Sequence, residues 1–287
     1  MCVSSTSALV IKTAHLGCTT VRHRSGILPA DIQLTIFVTG PALLDPNAQL
    51  EDVFWGFYHW LDDHPTETLI ISLKVDSGET TAEVQSKVQG YTTSSPGSDY
   101  WITNPTLGTL GDARGKLVLF RRFSWTSGGT FGLDMTDWKD NTSFNTEYAD
   151  GATAYIEDYY LLNLGGVPAD TVVQTKMAAV IGNIDSARAS GANSSQLFIT
   201  FASGGGQIES QYVTPRVLAL GSTSTNAESA TKGVNALLLE YLQQHSGDRL
   251  GVVLVDFFNT PTDLVLAAIA NSNVSPNAYV SLVFASR

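Results

Sequence analysis

The chain has 287 residues, 43% of them hydrophobic and 15% charged, and a net charge of -11 from 16 Lys+Arg against 27 Asp+Glu. Such a length and hydrophobic fraction suit one large α/β domain with a sizeable core and exclude a disordered chain. The acidic balance argues against nucleic acid as a partner and against long-range attraction to anionic membranes, since both need a positive field.

In chain order, Leu34–Val38 reads as a strand, and a helix follows with Asp45 as N-cap and Pro46 in its first turn. Leu50, Val53, Phe54, Phe57, Tyr58 and Leu61 recur along that helix at helical spacing. Thr68–Leu73 is a largely apolar run ending at Lys74, the pattern of a strand buried on both faces. A Ser/Gly/Thr-rich surface stretch then runs to about Gly108. The turn Gly111–Gly115 feeds Leu117-Val118-Leu119-Phe120, which stops at Arg121-Arg122. Two guanidinium groups at the end of a buried strand predict ligand contact rather than packing. Residues 124–152 are rich in Ser, Thr, Gly, Asp and Asn and read as a long loop.

Ala154–Tyr160 reads as a short strand with polar groups at its end, and Pro168–Ala189 as a long helix. Gln196–Phe201 is another buried strand, followed by a Ser/Gly turn through Gly204-Gly205-Gly206. A helix spans Ala227–His245, and the strand Arg249–Val255 ends at Asp256. A last helix begins at Pro261 with Thr260 as its cap. Strands separated by crossover helices imply a mostly parallel sheet, and six of them in one domain favour a (β/α) barrel.

Cys2 and Cys18 are the only cysteines, too few for a disulfide framework or a zinc site. No metal-ligand spacing, GxSxG elbow or P-loop is present, so neither metal nor cofactor is expected. The start MCVSSTSALVIKTAH lacks a basic n-region and is interrupted by Lys12, so it does not read as a signal peptide. Glycosylation sequons begin at Asn141, Asn193 and Asn273, a pattern that also arises by chance in Ser/Thr-rich chains, and the compartment stays open.

In a barrel, the carboxyl ends of the strands face one mouth. This chain delivers Lys74, Arg122, Asp158, Tyr160 and Asp256 there. The cations suit phosphate oxygens and the carboxylates suit sugar-like hydroxyls. Any one of these residues reads equally well as part of a weak surface ion pair; the joint pattern points to a polyhydroxylated, phosphorylated group. Gly204–Gly206 reads as a flexible turn, His59, His64 and His245 as surface residues, and Trp55, Trp60 and Trp101 as packing residues.

HPTETLIISLK (His64–Lys74), LGDARGKLVLFRR (Leu110–Arg122), IEDYY (Ile156–Tyr160) and RLGVVLVDFF (Arg249–Phe258) occur in that order. Together they resemble the landmarks of the catalytic X-domain of phosphatidylinositol-specific phospholipase C, of the secreted bacterial type and its fungal relatives. The resemblance covers about Val21 to the C-terminus. It implies a distorted (β/α)8 barrel over residues 21–287, behind an irregular segment 1–20. It also implies a metal-independent monomer that meets a membrane surface transiently and acts outside the cell. Such an enzyme cleaves phosphatidylinositol or its glycosylated anchors to diacylglycerol and a cyclic inositol phosphate. One histidine serves as general base on the inositol hydroxyl, a second as general acid on the leaving oxygen, and an arginine stabilises the phosphorane-like charge.

Carried over residue by residue, Lys74, Arg122, Asp158 and Tyr160 match inositol-binding positions. Asp256 matches the carboxylate that orients the general base. The N-terminal half departs from the pattern. The family's V-H-G-P is Val38-Thr39-Gly40-Pro41 here, and Thr39 does not titrate near neutrality and cannot be the acid. The catalytic arginine matches Arg22. The first histidine is echoed by His15 in Ile11–Gly17, but only six residues separate it from Arg22, too few for a strand and a crossover helix.

The first strand–helix unit is therefore expected to be missing, through truncation or through decay of the sequence, with little or no turnover. The alternative of another class is a non-catalytic protein that binds inositol phosphate or phospholipid. A metal-dependent glycerophosphodiesterase fits less well, because its carboxylate-rich site is not found.

Overall fold

A computed structural model of the protein describes residues 9–16, 50–75, 82–162, 164, 167–190, 195–208, 211–222, 231–245, 249–272 and 280–285. The chain divides into two compact units, one containing Ile11–Trp138 and the other Lys139–Arg287.

The first unit is built on β1 (Leu9–Leu16), α1 (Leu50–Asp63), β2 (Thr68–Val75), α2 (Ala82–Thr93), β3 (Trp101–Ile102), α3 (Leu110–Ala113), β4 (Lys116–Arg122) and β5 (Leu133–Asp134). Its sheet runs β1-β2-β4-β3, with β5 also paired to β4. The β2–β4, β3–β4 and β4–β5 pairs are parallel. Leu69–Leu73 and Leu117–Arg121 are buried without alternation, as expected of parallel strands covered on both faces. On α1 the apolar stripe Leu50, Phe54, Phe57, Tyr58 and Leu61 is buried, while Val53 is half-buried. The expected strand at 34–38 and the cap Asp45-Pro46 lie outside the described residues.

The stretch before Gly108 is not merely a surface loop, because α2 occupies part of it. This helix buries Gln85, Val88 and Thr92. Its inward stripe is largely polar, which a search for apolar periodicity passes over.

The second unit comprises β6 (Ser143–Ala149), β7 (Ala152–Glu157), β8 (Leu161–Leu162), α4 (Ala169–Ala189), β9 (Leu197–Phe201), β10 (Gly205–Ile208), β11 (Gln211–Val213), α5 (Pro215–Leu220), β12 (Gly221–Ser222), β13 (Thr231–Lys232), α6 (Val234–Gln244), β14 (Gly251–Asp256), α7 (Leu264–Ser272) and β15 (Val280–Ala285). The main sheet is ordered β15-β14-β9-β7-β6. Only β6 runs antiparallel to its neighbour. Val253 and Val255 join one apolar core with residues of α4, α6 and α7. Strand alternation therefore turns Val252, Leu254 and Asp256 to the opposite face of the sheet.

Three expectations change in this unit. Part of the long loop is β6, which forms a hairpin with β7 through Asp150-Gly151, and Gly151 supplies a φ of 68° for the turn. The penultimate helix is shorter than Ala227–His245, since Thr231–Lys232 forms β13 before α6 begins. The last helix starts at Leu264 rather than Pro261. Among the described residues the strands make two five-stranded sheets, one three-stranded and one two-stranded sheet, with no closed barrel. No described helix is long and apolar enough to cross a membrane.

Candidate functional site

In the first unit, β2 and β4 pair in continuous parallel register from Thr68 with Lys116 to Lys74 with Arg122. The entry to this ladder is pinned by Thr68 Oγ1 donating to Lys116 O (2.9 Å) and Gly115 N donating to Glu67 O (2.6 Å). Register alone then sets Lys74 and Arg122 side by side at the carboxyl ends of neighbouring strands, whose backbones lie about 4.8 Å apart. Both are half-buried. The Arg122 guanidinium lies over the Trp138 ring at 4.1 Å, a cation–π contact that holds its plane. An ammonium and a guanidinium carried on one face of neighbouring strands can together take a shared anion. Phosphate is the natural candidate, because it takes a planar guanidinium and a point ammonium together.

Arg121 does not share this role, which corrects the expectation for the Arg121-Arg122 pair. Its register partner is Leu73, so it points to the other face, and only 5% of it is exposed. The guanidinium donates to Phe131 O (2.9 Å), Thr136 Oγ1 (2.9 Å) and Phe123 O, and pairs with Asp134 at 2.5 Å. Arg121 is thus a latch that closes the segment 123–136 onto β4. Partial burial acts to raise the Asp134 carboxyl, but hydrogen bonds from Thr136 and the Arg121 charge outweigh it and hold Asp134 below the usual carboxylate range.

In the second unit, β7 and β9 pair from Ala154 with Leu197 to Glu157 with Thr200. Glu157 and Thr200 face the helices: Thr200 Oγ1 accepts from Asn183 of α4 (2.9 Å), and Glu157 Oε1 meets Lys176 Nζ of α4 at 2.7 Å. Asp158 follows directly after β7, and Asp256 ends β14 two strands away in the same sheet. Asp158 is 8% exposed and Asp256 0%. The Tyr160 hydroxyl donates to Asp140 Oδ2 at 2.7 Å.

Asp256 ends β14, and the chain turns sharply behind it. Phe257 has a φ of 52°, a conformation strained for a bulky residue. The Asn235 side-chain amide of α6 donates to Asp256 O (2.8 Å), Phe257 O (3.2 Å) and Thr260 O (2.9 Å), stapling that turn.

Sequence reasoning missed Glu157, Lys176, Asn235 and Asp140. A faint signal existed for Asn235, the single amide among the apolar residues that open α6. None existed for Lys176, whose partner is 19 residues away. The triple glycine is not a flexible turn, since Gly205 and Gly206 belong to β10. A Cβ at Gly204 would lie 2.8 Å from Tyr160 O, and one at Gly206 2.6 Å from Leu162 O. These glycines allow two backbones to approach closely.

His59 and His64 are exposed, and His64 stacks on Trp60 at 4.4 Å. Half-buried His245 stacks on Tyr241 at 4.3 Å. Trp101 is buried, its indole N–H donating to Tyr58 OH at 2.8 Å, whereas Trp55 is 48% exposed. His15 sits on β1, which neighbours β2. Arg22 and Thr39 lie outside the described residues.

No protein-family model matches the chain. Solved structures do. A mutant of phosphatidylinositol-specific phospholipase C from Staphylococcus aureus matches with a TM-score of 0.55 at 18% identity, over 86% of this chain and 73% of that one. A structure of the same S. aureus enzyme from work on its membrane binding gives a TM-score of 0.56 at 18% identity, over 86% and 72%. Phosphatidylinositol-specific phospholipase C from Listeria monocytogenes gives 0.54 at 19% identity, over 90% and 77%. The chain shares the α/β fold of these bacterial phospholipases.

Proposed function

We propose that this chain is a phosphatidylinositol phosphodiesterase of the phospholipase C type whose own turnover is impaired, working as a monomer that visits a membrane surface. The observation that carries this reading is the in-register pair Lys74–Arg122 at adjacent strand ends. That pair is suited to the phosphate of an inositol headgroup.

In the reaction, a ring hydroxyl attacks phosphorus, the diacylglycerol oxygen leaves, and a cyclic inositol phosphate results. Lys74 and Arg122 hold phosphate or ring oxygens. By resemblance, Asp158 and Tyr160 match positions that recognise ring hydroxyls, Asp256 matches a base-orienting carboxylate, His15 echoes the family's first histidine, and Arg22 matches the arginine that stabilises the transition-state charge. The architecture consistent with this is a distorted barrel over 21–287 without its first strand–helix unit.

The deciding experiment is a phosphorus NMR titration with inositol 1-phosphate, paired with a vesicle assay for the cyclic product. Binding that weakens roughly tenfold in both Lys74→Ala and Arg122→Ala supports the reading. No perturbation of the phosphorus signal at millimolar ligand refutes it. A second reading, a headgroup-binding protein without catalysis, is favoured by Thr39 at the general-acid position. If Thr39→His raises product formation on the order of 10²-fold, the enzymatic reading wins; binding with no cyclic product from either chain favours the second.

A further inference from the structure

Asp158 and Tyr160 lie beyond the last ladder pair of β7, where backbone pairing with β9 no longer dictates their position. Something else must hold them. On the helix side, Glu157 and Lys176 are both fully buried and meet at 2.7 Å. Lys176 Nζ also donates to Tyr159 O (2.6 Å), and Tyr159 N donates to Glu157 Oε1 (3.2 Å). These three bonds close a ring across residues 157–159 that grips the backbone on either side of Asp158.

The segment 140–142 grips the same turn from its other flank. Asp158 N donates to Thr142 O (3.2 Å), and the Tyr160 hydroxyl donates to Asp140 (2.7 Å). Asn141 exchanges two bonds with Leu161, donating to its carbonyl (2.9 Å) and accepting from its N–H (2.8 Å).

Burying two charges is seldom repaid by their mutual attraction, and an apolar pair of similar volume commonly serves packing as well or better. A fully buried ion pair between β7 and α4 is therefore poorly explained by stability alone. We propose that Lys176, through its buried pair with Glu157, is a positioning residue that fixes Asp158 and Tyr160 for recognition of a polyhydroxylated phosphate. The role in recognition rests on the headgroup-binding reading; the role in ordering the turn has a readout of its own. Lys176 is fully buried and presents no surface to a ligand. It sets where Asp158 begins, and preorganised groups bind more tightly than groups that must be ordered on contact.

Removing Lys176 alone leaves a buried carboxylate and compromises folding, so the informative variant is Glu157→Leu/Lys176→Met, which removes both charges and refills the space. Glu157→Gln/Lys176→Met is the companion should the first pack badly. Urea unfolding establishes that the variant is folded, and amide hydrogen exchange and inositol 1-phosphate titration are then compared with the unaltered protein. The expected result is exchange at Asp158 and Tyr160 at least tenfold faster, core amides of β9 and β14 unchanged, and affinity at least tenfold lower. Unchanged exchange at Asp158 and Tyr160 overturns the ordering role, whatever the ligand does. Faster exchange with unchanged affinity overturns the link to recognition. An unaltered protein that binds no inositol 1-phosphate, with exchange still faster in the variant, overturns the headgroup reading and supports the ordering role.

Discussion

The cationic strand end of the first unit and the acidic strand end of the second are built by different means. Lys74 and Arg122 are the last partners of a continuous parallel ladder, so backbone hydrogen bonds place them, and the Trp138 ring lies over the Arg122 guanidinium. Asp158 and Tyr160 stand past the end of the β7–β9 ladder, where the backbone bonds Asp158 N to Thr142 O and Gly205 N to Tyr160 O are joined by the side chains of Glu157, Lys176, Asp140 and Asn141. Asp256 is intermediate: it ends a strand, but its onward turn is held by Asn235. A ladder tolerates substitution at any one side chain because its bonds are made by the backbone. A side-chain clamp fails when one member is lost.

The most damaging way to probe that contrast is Lys176→Met, which strands the Glu157 carboxylate in a site with no exposure; a loss of about 3–5 kcal/mol in denaturant unfolding is expected. In the first unit the matching test is Arg121→Met, which takes a charged donor from Phe131 O, Phe123 O and Asp134 together. A loss of about 2–3 kcal/mol is expected, with the segment 123–136 becoming protease-sensitive. Gly206→Ala forces a Cβ to within 2.6 Å of Leu162 O and should destabilise the second unit by about 1–3 kcal/mol.

Lys74→Ala and Arg122→Ala should each change stability by no more than about 1 kcal/mol while weakening inositol 1-phosphate binding. A large stability loss in either would show that the ladder does not place them unaided. The smallest effect concerns acid. The Asp134 carboxyl titrates below its ordinary range in the folded state, so its contribution is complete above the unfolded carboxylate value, about 3.9. That contribution disappears as pH falls through the lower folded value. Asp134→Asn should flatten this acid limb in pH-dependent unfolding of the first unit.

Legibility followed the same division. The strand ends at Lys74, Arg122 and Asp256 were readable because a buried parallel strand announces itself as an apolar run, and the first polar residue after it marks the end. The hairpin of β6 and β7 was missed although Asp150-Gly151 stood between two alternating segments. Its strands are rich in Ser, Thr, Asn and Glu and so resembled loop composition. Arg121 was misread because composition does not tell which of two adjacent strand residues faces the ligand side. Its register partner Leu73, rather than its charge, assigns it to the other face.

By itself the sequence determined the α/β class, the run of buried strands and the cations at their ends, since hydrophobic periodicity is a local property of a few neighbouring residues. Only the tertiary structure decided how the described strands group into sheets, and that Arg121 latches the segment 123–136. It alone paired Glu157 with Lys176 and Asp256 with the helix carrying Asn235. The physical reason is that burial and pairing of polar groups depend on which distant segments pack together, and that information lies in no single window of the chain.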